Sequence, residues 1–256
     1  MSLPPATAAI ARSLRIYHGP EAPKAAMDAL YARFVRAGDL VFDIGAHVGD
    51  RISSFRRLGA RVVALEPQAG PLRALRLIHG RDPNVTLIAA AAGEREGTVT
   101  FHVNSANPTV STASSDFLAA ADGAGGWEGQ VWDKAVTVPC LTLDGLIARY
   151  GSPAFVKIDV EGFEDRVLAG LSRPLPALSF EFTTIARDCA ERCLRALAAL
   201  GPYRFDVALG ETQTLTFGAP VDADAMSQHL AALPHSANSG DVYAVLSPRH
   251  SGAAAG

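Results

Sequence analysis

The chain has 256 residues, 48% of them hydrophobic and 19% charged, with a formal net charge of −3 and a pI near 6.2. That length holds one sizeable α/β domain with additions and falls short of two full domains. The mild acidic excess removes the electrostatic case for a nucleic-acid partner, which ordinarily needs a basic face.

The first 20 or so residues carry Pro4 and Pro5 and little periodicity, and they read as a loosely held arm. Arg12 and Arg15 precede no apolar core or cleavage site, so no signal peptide is expected, and no stretch is long enough for a membrane span. Ala22 to Val35 is helical by the spacing of Met27, Leu30, Tyr31 and Phe34, and Gly38-Asp39 ends it. Residues 1–37 thus form an arm and helix ahead of an α/β domain over 38–247.

Leu40-Val41-Phe42 opens the most informative stretch. This apolar run breaks off at Asp43, turns through Gly45 and Gly49, enters a helix-like segment from Arg51 to Leu58, and is closed by Gly59. A second apolar run, Val62 to Leu65, ends on Glu66-Pro67. Strand, glycine turn, helix, strand is the order of the first βαβ unit of a doubly wound α/β domain. A turn with few β-carbons lets a ligand approach the backbone. An acidic residue at the tip of the second strand sits where a ribose diol can donate two hydrogen bonds to it.

Dinucleotide sites place glycine where this chain has His47, and His47 with Asp50 makes a poor diphosphate cradle. Asp43 would repel phosphate but can accept from an ammonium group. The pattern therefore suits a cofactor with a ribose and an α-amino acid and no phosphate, such as S-adenosylmethionine. Asp43, Gly45, Ala46, His47, Gly49, Glu66 and Pro67 are the candidate contacts. Arg51, Arg56, Arg57 and Arg61 are the best candidates for a local basic patch and read as the solvated face and end of that first helix.

Leu72 to His79 is the next helix, and Val85 to Ala89 a third strand running into Ala90-Ala91-Ala92-Gly93. Small residues at a strand's carboxyl end leave room for a flat ring, so Ala91 joins the candidate contacts as an adenine wall. Thr98 to Val103 alternates and pairs with Ala135 to Leu141 as an inserted hairpin. Between them, residues 104–134 are rich in Ser, Ala and Gly and carry Trp127 and Trp132; they read either as a disordered surface loop or as a lid over the substrate. A short capped helix, Thr142 to Tyr150, leads to the second informative stretch, Phe155 to Glu164, an apolar strand ending in carboxylates and a glycine.

Leu178 to Thr183 repeats that theme with Glu181 near its end, and Arg187 to Leu200 is a helix. Cys189 and Cys193 share a face of it. With Cys140 they make three thiols, too few and too scattered for a disulfide framework or a metal set, and they suit buried apolar sites in a reducing cytoplasm. Tyr203 to Leu209 and Asp241 to Leu246 are the last strands, with a helix, Ala223 to Leu233, between them; residues 248–256 read as a disordered tail.

D-I-G-A-x-x-G from Asp43, L-E-P from Leu65 and V-K-I-D-V-E-G-F-E from Val156 together resemble the FkbM family of S-adenosylmethionine-dependent methyltransferases, from about Leu40 to Thr183. The first motif is shared by many methyltransferases; K-I-D-V-E-G-x-E is more selective. The resemblance implies a Rossmann-like, class I methyltransferase fold: a doubly wound, mostly parallel seven-stranded sheet with one antiparallel strand, here carrying the inserted hairpin. It implies methyl transfer to a hydroxyl of a small molecule, sugar or glycolipid. It places Asp43, Gly45 and Gly49 on the methionine part of the cofactor, Glu66 on the ribose, and Asp159 at the switch point facing cofactor and substrate. The family often has asparagine where this chain has His47.

Methyl transfer to an alcohol is an in-line displacement that needs alignment and removal of one proton. Asp159 and Glu181 are the favoured bases, followed by Glu161 and His47. Asp159 could instead accept from the next turn's amides, and Glu181 could pair with Lys157. Paired carboxylates could also hold a divalent cation that orients a diol. Two other functions fit such a fold: a nicotinamide-dependent oxidoreductase, or a non-catalytic binding protein. Residues 104–134 are expected to decide the acceptor; neither the acceptor nor the oligomeric state is written in the sequence.

Overall fold

Leu40–Ile44 is buried at every position, as a central parallel strand covered on both faces must be. A computed structural model of the chain describes residues 5–20, 22 and 24–247. In chain order the elements are α1 (Pro5–His18), α2 (Lys24–Tyr31), β1 (Leu40–Ile44), α3 (Asp50–Arg57), β2 (Arg61–Leu65), α4 (Ala69–His79), β3 (Val85–Ile88), β4 (Ala91–Ala92) and β5 (Gly97–Val103). They continue with α5 (Ser115–Ala121), β6 (Lys134–Leu141), α6 (Leu143–Tyr150), β7 (Phe155–Ile158), α7 (Glu164–Leu168), β8 (Ala177–Thr183), α8 (Arg187–Leu200), β9 (Tyr203–Leu209), α9 (Ala223–Ala232) and β10 (Ser239–Leu246).

Seven strands form one sheet in the order β3-β2-β1-β7-β8-β10-β9, with β10 antiparallel to both its neighbours and every other pair parallel. This is the doubly wound, mostly parallel α/β fold. Side chains alternate across it with the strand period: Leu40, Phe42 and Ile44 enter the core shared with α6 to α9, while Val41 enters the core shared with α2, α3 and α4. The chain winds outward from β1 through β2 to β3, then returns to β7 on the other side of β1. In an open α/β sheet that reversal opens a ligand crevice beyond the carboxyl ends of the strands. The inserted hairpin is also present, with β5 antiparallel to β6 from Gly97↔Cys140 to Val103↔Lys134 and the short β4 parallel to β6.

Two expectations differ from the structure, and one that the sequence left open is narrowed. The arm is a helix over Pro5–His18: Ala9 and Ser13, four apart, are buried, and Ile10 lies against Gly70 of α4. Arg12 and His18 tie it down by donating to Ala106 O (2.7 Å) and bonding Val48 O (2.8 Å). The first strand does not break at Asp43 but runs to Ile44, because Asp43 lies in ladders with Ala64 and Lys157. Residues 104–134 are a folded excursion rather than a disordered loop. Ser114 caps α5 by accepting from Phe117 N, Phe117 is fully buried against the edges of Trp127 and Trp132, and Trp132 Nε1 donates to Val110 O at 2.8 Å. The tail over 248–256 lies outside the described residues.

Candidate active site

A cleft of about 860 Å³, its open mouth included, occupies the switch point beyond the carboxyl ends of β1, β2 and β7. Of the residues that the sequence singles out, Asp43, Gly45, Ala46, His47, Glu66, Pro67, Ala91 and Asp159 line it, and so does Glu161. Gly49 and Glu181 do not. Tyr17 of α1, Gln68 and Glu211 line it as well, and nothing in their local sequence marks them.

The β1–α3 turn is built by close backbone contact. Gly45 has φ +88°, and a β-carbon there would lie 1.8 Å from the Asp159 carbonyl oxygen. Glycine is needed because the chain leaving β7 passes directly against this turn, which is a packing requirement and not a phosphate cradle. Gly45 N and Ala46 N donate to Leu65 O, and Asp159 N donates to Ile44 O, so the three strand ends are knitted together. Gly49, at φ +84°, serves a different purpose: a β-carbon would sit 2.6 Å from Leu75 and 2.9 Å from His79. It lets α3 approach α4.

Glu66 holds the turn from the other side. Its Oε2 accepts from His47 N (2.9 Å) and its Oε1 from Gln68 N (2.7 Å). The residue is 2% exposed, and burial pushes its carboxyl up to about 8. Burial likewise pushes Asp43 up to about 7, and its Oδ2 has no partner. The His47 imidazole is driven down to about 4 by burial and stays neutral at physiological pH, with both ring nitrogens unpartnered and Tyr17 edge-on at 5.8 Å. Gln68 Oε1 is also buried without a partner. With Arg51 Nε, that makes five unsatisfied polar atoms on residues lining one cleft, which a polar ligand would satisfy.

A charged cluster forms the opposite wall. Lys157 Nζ donates to Asp159 Oδ2 at 3.0 Å and to Asp241 Oδ1 at 2.7 Å. The ion pair with Glu181 that the sequence allows for is not made. Burial works to raise the Asp159 carboxyl, but the Lys157 ammonium beside it holds it below the usual carboxylate range. A third of the Asp159 side chain remains exposed to the cleft. Asp159, Glu161 and Glu181 each bring one oxygen within 4.8 Å of the others, and burial pushes both glutamates well above the usual range. Glu181 faces a separate small void beside Glu164 and Cys189.

Three of the four arginines of the candidate basic patch are held in ion pairs, and Arg61 is exposed. Arg51 is buried at the cleft mouth, where Asp50 (2.6 Å) and Glu211 (2.9 Å) outweigh the burial that opposes its charge. Arg56 pairs with Asp82 and Arg57 with Asp28. The three cysteines are free and buried, and the Cys189 thiol lies against two carboxylates, donating to Glu164 Oε2 at 3.4 Å and Asp165 Oδ1 at 3.5 Å.

A family model described as the methyltransferase FkbM domain matches residues 43–195 of this chain. Solved structures of similar architecture include an O-methyltransferase from Bacillus cereus in complex with SAH, at 12% identity over 96% of this chain and 93% of that one, TM-score 0.46. A TehB-like SAM-dependent methyltransferase from Corynebacterium glutamicum aligns at 9% identity over 94% and 98%, TM-score 0.49. The precorrin-6y C5,15-methyltransferase of Geobacter metallireducens aligns at 15% identity over 88% and 87%, TM-score 0.45. No curated protein sequence matches the chain. Among the described residues no helix is long and apolar enough to cross a membrane.

Proposed function

The chain belongs to the FkbM methyltransferase family, and from that premise we propose that it methylates a hydroxyl oxygen of a small molecule, sugar or glycolipid, with Asp159 taking the proton. The observation that carries this reading is the meeting of Glu66, Asp43 and Asp159 around one cleft at the switch point. The residues suit S-adenosylmethionine: Glu66 would accept from the ribose hydroxyls, the unpartnered Asp43 Oδ2 from the ammonium group, and the small Ala90 to Ala92 wall would take the adenine. They suit a dinucleotide poorly, since buried carboxylates and a turn packed against Asp159 O leave a diphosphate no cradle. When bound, S-adenosylmethionine supplies a sulfonium methyl group of high electrophilicity.

The chain's own part is then alignment and proton removal. An alcohol proton becomes strongly acidic only as its oxygen is alkylated, so an ionised carboxylate of low basicity suffices to receive it. Asp159 is ionised by its contact with Lys157 and partly open to the cleft. Glu181 does not line the cleft, but its oxygen lies within 4.8 Å of those of Asp159 and Glu161, where a raised carboxyl is a proton-holding group. A manganese titration tests the divalent-cation alternative at these carboxylates, and no saturable binding would remove it. Unpaired thiols agree with a cytoplasmic site of action.

The test is a methyl-transfer screen against sugars, polyketides and glycolipids, run beside calorimetric titration with S-adenosylhomocysteine. Micromolar-range binding with transfer to an alcohol is the expected result. Absence of binding, or reduced nicotinamide binding in its place, would remove the assignment.

A further inference from the structure

Lys157 stands in the fully buried strand β7 and is 1% exposed. A buried ammonium is costly unless paired, and here it bridges two carboxylates that belong to distant strands. The register explains the reach. Lys157 lies opposite Ser179 on β8, and Ser179 opposite Tyr243 on β10, two residues beyond Asp241. All four side chains share one face of the sheet. Asp241 therefore anchors the ammonium from one side, and Asp159, at the cleft, receives it from the other.

The surroundings of Asp159 make this contact matter. Glu161 follows it in the chain, Glu164 faces it from α7 and Glu181 from β8. Asp43 faces it from β1, His47 from the turn and Tyr17 from α1. Every one of these groups is acidic or neutral. Arg51, on α3, is the other cation near Asp159, and its terminal nitrogens are already taken by Asp50 and Glu211. Without Lys157, Asp159 would share a proton with its acidic neighbours and present a protonated oxygen to the cleft.

We propose that Lys157, anchored by Asp241, is a positioning residue for the methyl transfer: it keeps the Asp159 carboxylate ionised and fixed at the cleft wall, ready to receive the acceptor's proton. The inference rests on the reading of Asp159 as the proton acceptor. It is tested by following the side-chain carboxyl resonances of ¹³C-labelled aspartate in the full chain through a pH titration, with Asp159→Asn identifying the signal. In the wild type the Asp159 signal stays in its ionised position throughout the neutral range and into mild acid. Lys157→Met should raise its midpoint by about one pH unit or more, the scale of a lost neighbouring charge. Lys157→Gln keeps hydrogen-bond donors for both carboxylates and serves if the methionine variant does not fold. Lys157→Arg restores the charge and should return the midpoint toward the wild type.

A midpoint unmoved in folded Lys157→Met or Lys157→Gln overturns the proposal, as does a midpoint raised equally in Lys157→Arg. The measurement needs no acceptor and no turnover. It can thus fail while the reaction assignment stands, and that assignment is decided separately by whether Asp159→Asn still transfers methyl groups.

Discussion

The sharpest test of the cofactor assignment is Glu66→Ala, read as a function of pH. In the free protein Glu66 spends one lone pair on the His47 amide and one on the Gln68 amide, leaving acceptor capacity toward the cleft. Two hydrogen bonds from a ribose diol to that carboxylate, set against hydrogen bonds to water, should contribute about 1–3 kcal/mol. Their loss weakens S-adenosylhomocysteine roughly 5- to 150-fold. Burial holds the free carboxyl at about 8, and the diol donates best to its ionised form. Binding below that pH must release a proton, so wild-type affinity falls as pH falls through 8, by up to about tenfold per unit. The alanine variant has no such proton. The gap between the two proteins should be widest above about pH 8 and close toward about pH 6, and calorimetric titration across that range measures it. A gap independent of pH, or no gap at all, would show that Glu66 only braces the turn.

Asp159→Asn should abolish turnover in the transfer screen while leaving S-adenosylhomocysteine affinity nearly unchanged; full activity would exclude it from the proton transfer. Gly45→Ala should lower the melting temperature by several degrees or prevent folding, because a β-carbon would lie 1.8 Å from Asp159 O at a positive φ that costs a non-glycine residue about 1–2 kcal/mol by itself. Wild-type stability in that variant would mean the two backbone segments are not held together. Glu164 is pushed up to about 7 by burial while accepting from Val160 N and Gly162 N. Its folded value lies above its unfolded one, so the stability it contributes is complete at acid pH and is lost as pH rises through about 7. Glu164→Gln should therefore gain about 2–3 kcal/mol relative to wild type between about pH 5 and pH 8 in urea unfolding; parallel stability curves would refute the shift.

Part of the site was legible in the chain because it is local. Asp43, Gly45 and Glu66 sit at the ends of strands whose apolar runs and glycine turn are visible as spacing, and the backbone geometry of a βαβ unit then fixes where those ends point. Asp159 was legible for the same reason, as the carboxylate on which an apolar strand stops. Glu181 sits on its expected strand, with a carboxylate oxygen within 4.8 Å of those of Asp159 and Glu161, yet it lines a separate small void rather than the cleft. Spacing gives a residue's strand and height, but not which void its side chain enters, here the one that Glu164 and Cys189 also line. Gly49 shows the same limit: its spacing matches a ligand turn, while its contacts are with Leu75 and His79.

Lys157 carried a signal, since a lysine inside Phe155-Val156-Lys157-Ile158 demands a buried partner, but nothing local names Asp241, 84 residues away. Arg51 and Glu211 meet across 160 residues, and Tyr17 reaches the cleft only because α1 docks on α4. Periodicity and turn chemistry therefore determined the doubly wound sheet, the glycine turn after β1 and the acidic strand ends, since each depends on neighbours within one βαβ unit. Tertiary structure alone decided which charges are paired, which carboxylates face the cleft and how the N-terminal helix brings Tyr17 to it. Those outcomes follow from long-range packing, where the cost of burying a charge is settled by whatever partner the fold brings within reach.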